Sequence, residues 1–120
     1  MRSLLLLLNG ILLVGAQAVA SPPNDNCGAA TVIAGLPFTI TVDATTATTE
    51  PTDPVQSCSA EEGAQSIWFT YTARRRTTLL IDSIGSDAHT TISVHSGSCV
   101  ALSEVACESD RERRAGRGAP

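Results

Sequence analysis

The chain has 120 residues, with eight Arg, no Lys, twelve acidic residues, two His and a formal net charge of −4. Residues 21–110 hold three Arg against eleven acids, a net of −8, and residues 111–120 hold four Arg and one Glu, a net of +3. An acidic body of this kind excludes a nucleic-acid footprint, and the length leaves room for one domain.

Residues 1–20 read as a signal peptide. Arg2 gives the positive start, residues 4–14 the apolar stretch, and Ala18, Val19 and Ala20 a small-residue cleavage site before Ser21. The apolar stretch is shorter than the roughly 20 residues of a spanning helix. Four cysteines behind such a leader, Cys27, Cys58, Cys99 and Cys107, predict two disulfides in an oxidising compartment. Of the three pairings, Cys27–Cys58 with Cys99–Cys107 is the expected one, since a hairpin would close the short segment between the last two. Successive spacings of 31, 41 and 8 contain no C-x-x-C, which argues against zinc.

The mature chain starts with a stiff, turn-prone Pro-Pro-Asn-Asp-Asn loop. A short strand is expected within 29–34, then a strictly alternating one at 38–42 with Phe38, Ile40 and Val42 inward. Residues 43–50 extend that strand or form an edge, and the prolines at 51 and 54 make 50–63 a loop. Residues 66–72 hold the only Trp and Tyr, and read as the central strand of an antiparallel sheet. Ile67, Phe69 and Tyr71 fall on one of its faces and Trp68 and Thr70 on the other. Arg74, Arg75 and Arg76 sit at a turn, as a solvated run whose stems cover apolar surface.

The next predicted strand is 77–83, with Leu79 and Ile81 inward, and residues 85–87 turn the chain. Residues 90–96 alternate again, Ile92 and Val94 facing in and Thr91, Ser93 and His95 facing out. Ser96, Gly97 and Ser98 signal a tight turn before a last strand at 100–107. Short strands separated by turns predict an all-β fold, an antiparallel β-sandwich of jelly-roll-like form stapled by two disulfides.

Taken together, PPNDNCGAAT, LPFTITVDATTAT, SIWFTYTA, TTLLIDSIGSDAHTTISVHSGSC and ALSEVACESD resemble the pre-peptidase C-terminal (PPC-like) domains of secreted bacterial proteins. That family has a W-[YF]-x-[FY]-T strand, a T-[LIV]-x-[LIV]-D-[ST] strand, D-T-x-[LI]-x-V-[YH]-x-G and V-A-x-[ND]-x-D. Residues 67–72, 78–83, 90–97 and 105–110 match them in order, so the resemblance spans about residues 22–110. It implies a non-catalytic accessory module, extracellular, at the cell surface or periplasmic, that serves attachment, spacing or substrate targeting on an extracellular polymer or cell-surface component. The family continues with further strands where this chain has RERRAGRGAP, which reads as a disordered tail at 111–120. The expectation is therefore an incomplete sandwich, a fragment of a longer module.

Candidate chemistry is sparse. Asn24, Asp25 and Asn26 form one cluster of oxygen ligands and Glu108 and Asp110 another, so these are the candidate calcium ligands; turn chemistry is the favoured explanation of both. His89 and His95 fall on one outward strand face, which suits solvent-exposed residues better than a metal site. Ser93, His95 and Asp82 can be assembled as a triad on paper, but no G-x-S-x-G turn or oxyanion loop accompanies them, and no enzyme is expected. A carbohydrate-binding sandwich is the alternative, with Trp68 its platform, and a secreted hydrolase fragment is a more distant one.

Overall fold

The computed structural model describes residues 20–59 and 65–110. The predicted leader up to residue 19, part of the loop at 60–64 and the Arg-rich tail at 111–120 lie outside the described residues. Their elements are a single 3₁₀ turn, Cys27–Ala29, and four strands: β1 (Thr31–Val32), β2 (Phe69–Thr70), β3 (Thr91–Ser98) and β4 (Ala101–Ser109). The fold of these residues is all-β, as the alternation predicted, but it is built as two separate two-stranded sheets.

The longer sheet is the hairpin β3–β4, paired antiparallel from Thr91↔Ser109 to Ser98↔Ala101. The turn falls at Cys99 and Val100, not at the expected residues 96–98. Gly97 lies within β3 at φ +105°, a backbone conformation open to glycine. A Cβ there would stand 2.3 Å from the Ala101 carbonyl oxygen, so the strand bends tightly at that point without ending. Farther along, Val94 pairs with Ala106 and His95 with Glu104, which leaves Val105 as the extra residue of a β-bulge.

The aromatic segment takes a different partner from the expected one. β2 pairs in parallel with β1, Thr31↔Phe69 and Val32↔Thr70. The Thr31 and Ile33 amides donate to the carbonyls of Trp68 (3.0 Å) and Thr70 (2.9 Å), so the N-terminal segment lies along the aromatic strand. The antiparallel arrangement is corrected on this point. Phe38 still reaches this sheet, its ring edge-on to Phe69 at a centroid separation of 6.4 Å.

Both disulfides form, with the other pairing: Cys27–Cys99 and Cys58–Cys107, at Cα separations of 5.9 and 5.6 Å. The expected Cys99–Cys107 bridge fails on strand geometry. Cys99 is in the turn and Cys107 is far along β4, eight positions on, or roughly 27 Å of extended chain at about 3.4 Å per residue. A disulfide tolerates no more than about 7 Å between Cα atoms. Cys99 instead reaches the 3₁₀ turn at Cys27, and Cys107 reaches the loop at Cys58, whose amide donates to the Cys107 sulfur at 3.3 Å. The two bridges thus tie the N-terminal segment and the 50s loop to opposite ends of the hairpin.

The most buried residues are not the alternating apolar ones. Among the described residues they are Pro22, Asn24, Asp25, Ala47 and Ser109. The residues predicted to fill a core at 38–42 and 77–83 stand open: Phe38 and Leu79 are each 39% exposed, Ile40 47% and Ile81 50%. Neither segment is a strand, and among the described residues 34–42 and 71–82 make no backbone–backbone hydrogen bond. Two-stranded ribbons are marginal by themselves. Cross-links and the buried polar segment at 22–25 therefore hold this arrangement together.

Candidate functional site

The Pro-Pro-Asn-Asp segment that offered calcium ligands is used inside the fold. Asn24 is 2% exposed; its side-chain Nδ2–H donates to the Trp68 carbonyl at 3.0 Å, and its own carbonyl accepts the Trp68 amide at 2.9 Å. The asparagine thus holds both the N–H and the C=O of Trp68 and continues the edge that β1 begins. Asp25 holds the neighbouring loop. Its Oδ1 accepts the Thr48 amide and its Oδ2 the Thr48 hydroxyl, both at 2.7 Å. Those two bonds, the amide first, lower the Asp25 pKa, against an opposing effect of burial. Nearby, the Gln65 side chain donates to the Thr45 carbonyl at 2.8 Å, and the Ser66 hydroxyl to Asp53 at 2.8 Å.

Glu108 and Asp110 sit elsewhere, at the end of β4. Glu108 is paired across from Ile92, and Asp110 lies 3.4 Å from Nδ1 of the exposed His89. The Asp110 amide donates to the Thr90 carbonyl at 3.1 Å, closing the open end of the hairpin. Among the described residues no group of three or more His, Cys, Asp or Glu side chains is placed to hold a metal ion.

Ser93 and His95 do come together. They share a face of β3, and His95 Nε2 is 3.0 Å from the Ser93 hydroxyl. This face is not the open one expected from the alternation: Trp68 lies over His95, ring centroids 6.4 Å apart, and Gln56 donates to Ser93 at 2.8 Å. Both residues are half-buried. The cover is Trp68 beside β2 together with the 50s loop, which Cys58–Cys107 ties to the hairpin. Gln56 and Glu104 were not foreseen here, because Gln56 depends on the disulfide pairing and Glu104 on the bulged register of the hairpin.

Among the described residues no carboxylate orients His95 as a catalytic triad requires. Asp82, the paper candidate, turns its Oδ1 to the Ile84 amide at 3.0 Å. Glu104, opposite His95 on β4, accepts the Ser57 amide at 3.1 Å. Its pKa is lowered first by the Ser57 hydroxyl, then by that amide, and also by the charge of His95. Among the described residues, buried His95 Nδ1 and Trp68 Nε1 have no hydrogen-bond partner. Trp68 is half-buried against His95, and Tyr71 is half-buried as well, so the two do not form a flat exposed platform.

Residues 36–42 and 78–84, with Phe69 and Ile92, belong to a broad, open concave surface that runs over more than half of the described residues. Its walls combine the exposed apolar side chains described above with Asp43, Asp53, Asp82 and Asp87; none of the described lining residues is Arg or Lys. Arg74, Arg75 and Arg76 are exposed at a bend outside it.

Two disulfides fit an oxidising location. Among the described residues no helix is long and apolar enough to cross a membrane. No protein-family model, curated protein or solved structure matches the chain, and the resemblance to the pre-peptidase C-terminal domains rests on its residue pattern alone.

Proposed function

We propose that the chain is a non-catalytic accessory module of a secreted or cell-surface bacterial protein, serving attachment, spacing or substrate targeting. Its two small sheets belong to a β-sandwich of the pre-peptidase C-terminal type. The observation that carries this reading is the order of the sequence motifs, set on an all-β arrangement held by two disulfides. Exposed apolar side chains at 36–42 and 78–84 support the same reading, since large exposed apolar groups suit an interaction surface. The half-covered Ser93–His95 pair, without an orienting acid, gives no reason to assign turnover.

The test fuses the full oxidised chain to a fluorescent reporter and measures its retention on insoluble bacterial cell-wall and extracellular polymer. Retention well above that of the reporter alone is expected, with no hydrolysis of ester, amide or glycoside probes. Absence of retention, or turnover abolished by Ser93→Ala, would overturn the proposal.

A further inference from the structure

Arg74, Arg75 and Arg76 are the sole Arg or Lys side chains among the described residues; the other arginines, at 2, 111, 113, 114 and 117, lie outside them. The run stands at a bend within residues 72–82, every one of which is exposed. Among the described residues this stretch makes no backbone–backbone hydrogen bond, and no ion pair holds any of the three guanidinium groups. The Thr77 hydroxyl donates to the Arg75 carbonyl at 2.9 Å, and that bond is itself exposed to water.

These are the properties of a protease substrate. A polypeptide held as an extended segment is gripped through its main-chain N–H and C=O groups, so a segment committed to a ladder must first be released. Residues 72–82 have no ladder to give up, and exposed chain of this kind is where nicking concentrates. Arginine supplies the second requirement, a planar cation that pairs with a carboxylate at the base of a specificity pocket.

The place of the run in the fold decides what a cut would leave. β1 and β2 both precede it and β3 and β4 both follow it, so no strand pair spans it. Both disulfides do span it: Cys27 and Cys58 lie before the run, and Cys99 and Cys107 after it. The hydrogen bonds from Gln56 to Ser93 and from the Ser57 amide to Glu104 cross it as well. A cut here severs no ladder and leaves two pieces joined by two covalent bridges. The pairing Cys27–Cys58 with Cys99–Cys107 would have let them part.

We propose that Arg74–Arg76 is a processing site for an arginine-specific endopeptidase with an anionic specificity pocket, and that the product is a two-chain module joined by both disulfides. The step is hydrolysis. One water is consumed and the C–N bond after an arginine breaks; that arginine gains a carboxylate and the following residue an amine. This goes beyond the binding-module reading, and neither depends on the other.

The experiment treats the full oxidised chain with a trace of trypsin and follows the products by mass spectrometry, with and without reduction. Cuts within 111–120 alter only the mass of the C-terminal piece and are scored apart. Without reduction the two pieces should stay together, one water heavier; with reduction they should separate at 74–76. The initial rate at 74–76 should lie within about tenfold of that for the blocked peptide TYTARRRTTLL. A larger deficit, up to the 10³-fold or more of a segment that opens only with the whole fold, would overturn the proposal. So would separation of the pieces without reduction. The cut chain should keep the Trp68 emission, because Trp68 packs on His95 across the cut, and the protection of 92–97 and 102–108; loss of either would also overturn it. Replacing all three residues, Arg74→Gln, Arg75→Gln and Arg76→Gln, should abolish this cut and leave the urea midpoint in place. A lowered midpoint would show that the arginines hold the fold, against the proposal.

Discussion

The grip of Asn24 on Trp68 gives a sharp prediction, because two conservative substitutions must differ in a set order. Asn24→Ala removes the Nδ2–H donor and leaves the Trp68 carbonyl with the Thr31 amide alone. Losing one hydrogen bond at a 2%-exposed position costs about 1–2 kcal/mol. Asn24→Asp keeps the size but points an acceptor at the Trp68 carbonyl and buries a charge, at a cost of about 2–4 kcal/mol. The assay is urea unfolding of the oxidised chain at neutral pH, followed by Trp68 fluorescence, with the slope checked for constancy. Aspartate should be the worse of the two, and part of its loss should return on acidification as the new carboxyl protonates. A calcium ligand would behave in the opposite way, since an added carboxylate strengthens a hard-cation site. An Asn24→Asp chain as stable as the parent, or one rescued by calcium, would refute the structural role.

Further outcomes follow from the same geometry. Gly97→Ala places a Cβ 2.3 Å from the Ala101 oxygen at a φ that L residues avoid, and should cost about 2–4 kcal/mol; a change under about 0.5 kcal/mol in the urea midpoint would contradict it. Proteolysis without reduction, followed by mass spectrometry, should yield Cys27 joined to Cys99 and Cys58 joined to Cys107, and a Cys99–Cys107 peptide would contradict the hairpin register. Removing either bridge by double Cys→Ser replacement should cost about 4 kcal/mol on the chain-entropy model, because 72 and 49 positions separate the partners. Asp25, Asp43 and Glu104 have folded pKa values below their ordinary ones, so their contribution is present in full above about pH 4.5 and is lost as pH falls through the folded values. The urea midpoint should therefore drop below pH 4, while an acid-side rise would contradict the carboxylate contacts.

The hairpin was legible because the alternation at 90–96 and the short strand signal at 100–107, on either side of a Gly-containing turn, need only each other to be satisfied. Its turn was misplaced because Gly97 signals a tight bend, and the sequence does not say whether a glycine ends a strand or kinks it. The alternation at 38–42 is as regular as that at 90–96, and 77–83 has the apolar composition of a strand, yet neither segment is one. A strand exists only through its ladder, and periodicity records side-chain chemistry without recording whether a partner is present. Cysteine pairing was hidden for a related reason. Eight residues are near in sequence and far apart once extended, so the nearest pair in the chain was the least able to close. Asn24 and Asp25 were recognised as polar turn residues, but their burial against Trp68 and Thr48 depends on contacts 44 and 23 positions away. The Ser93–His95 contact could be read from an i, i+2 spacing on one strand face. The cover supplied by Gln56 and Trp68 could not, because it follows from the Cys58–Cys107 bridge.

Hydrogen exchange of the free, oxidised chain, resolved by peptide, tests the central claim most directly. The account predicts protection across 92–97 and 102–108 and at residues 31–33, with rapid exchange throughout 36–42 and 77–82, whose amides have no backbone partner among the described residues. Protection of those two segments in the free chain, equal to that of the hairpin, would mean that the strands are already paired and would contradict the account.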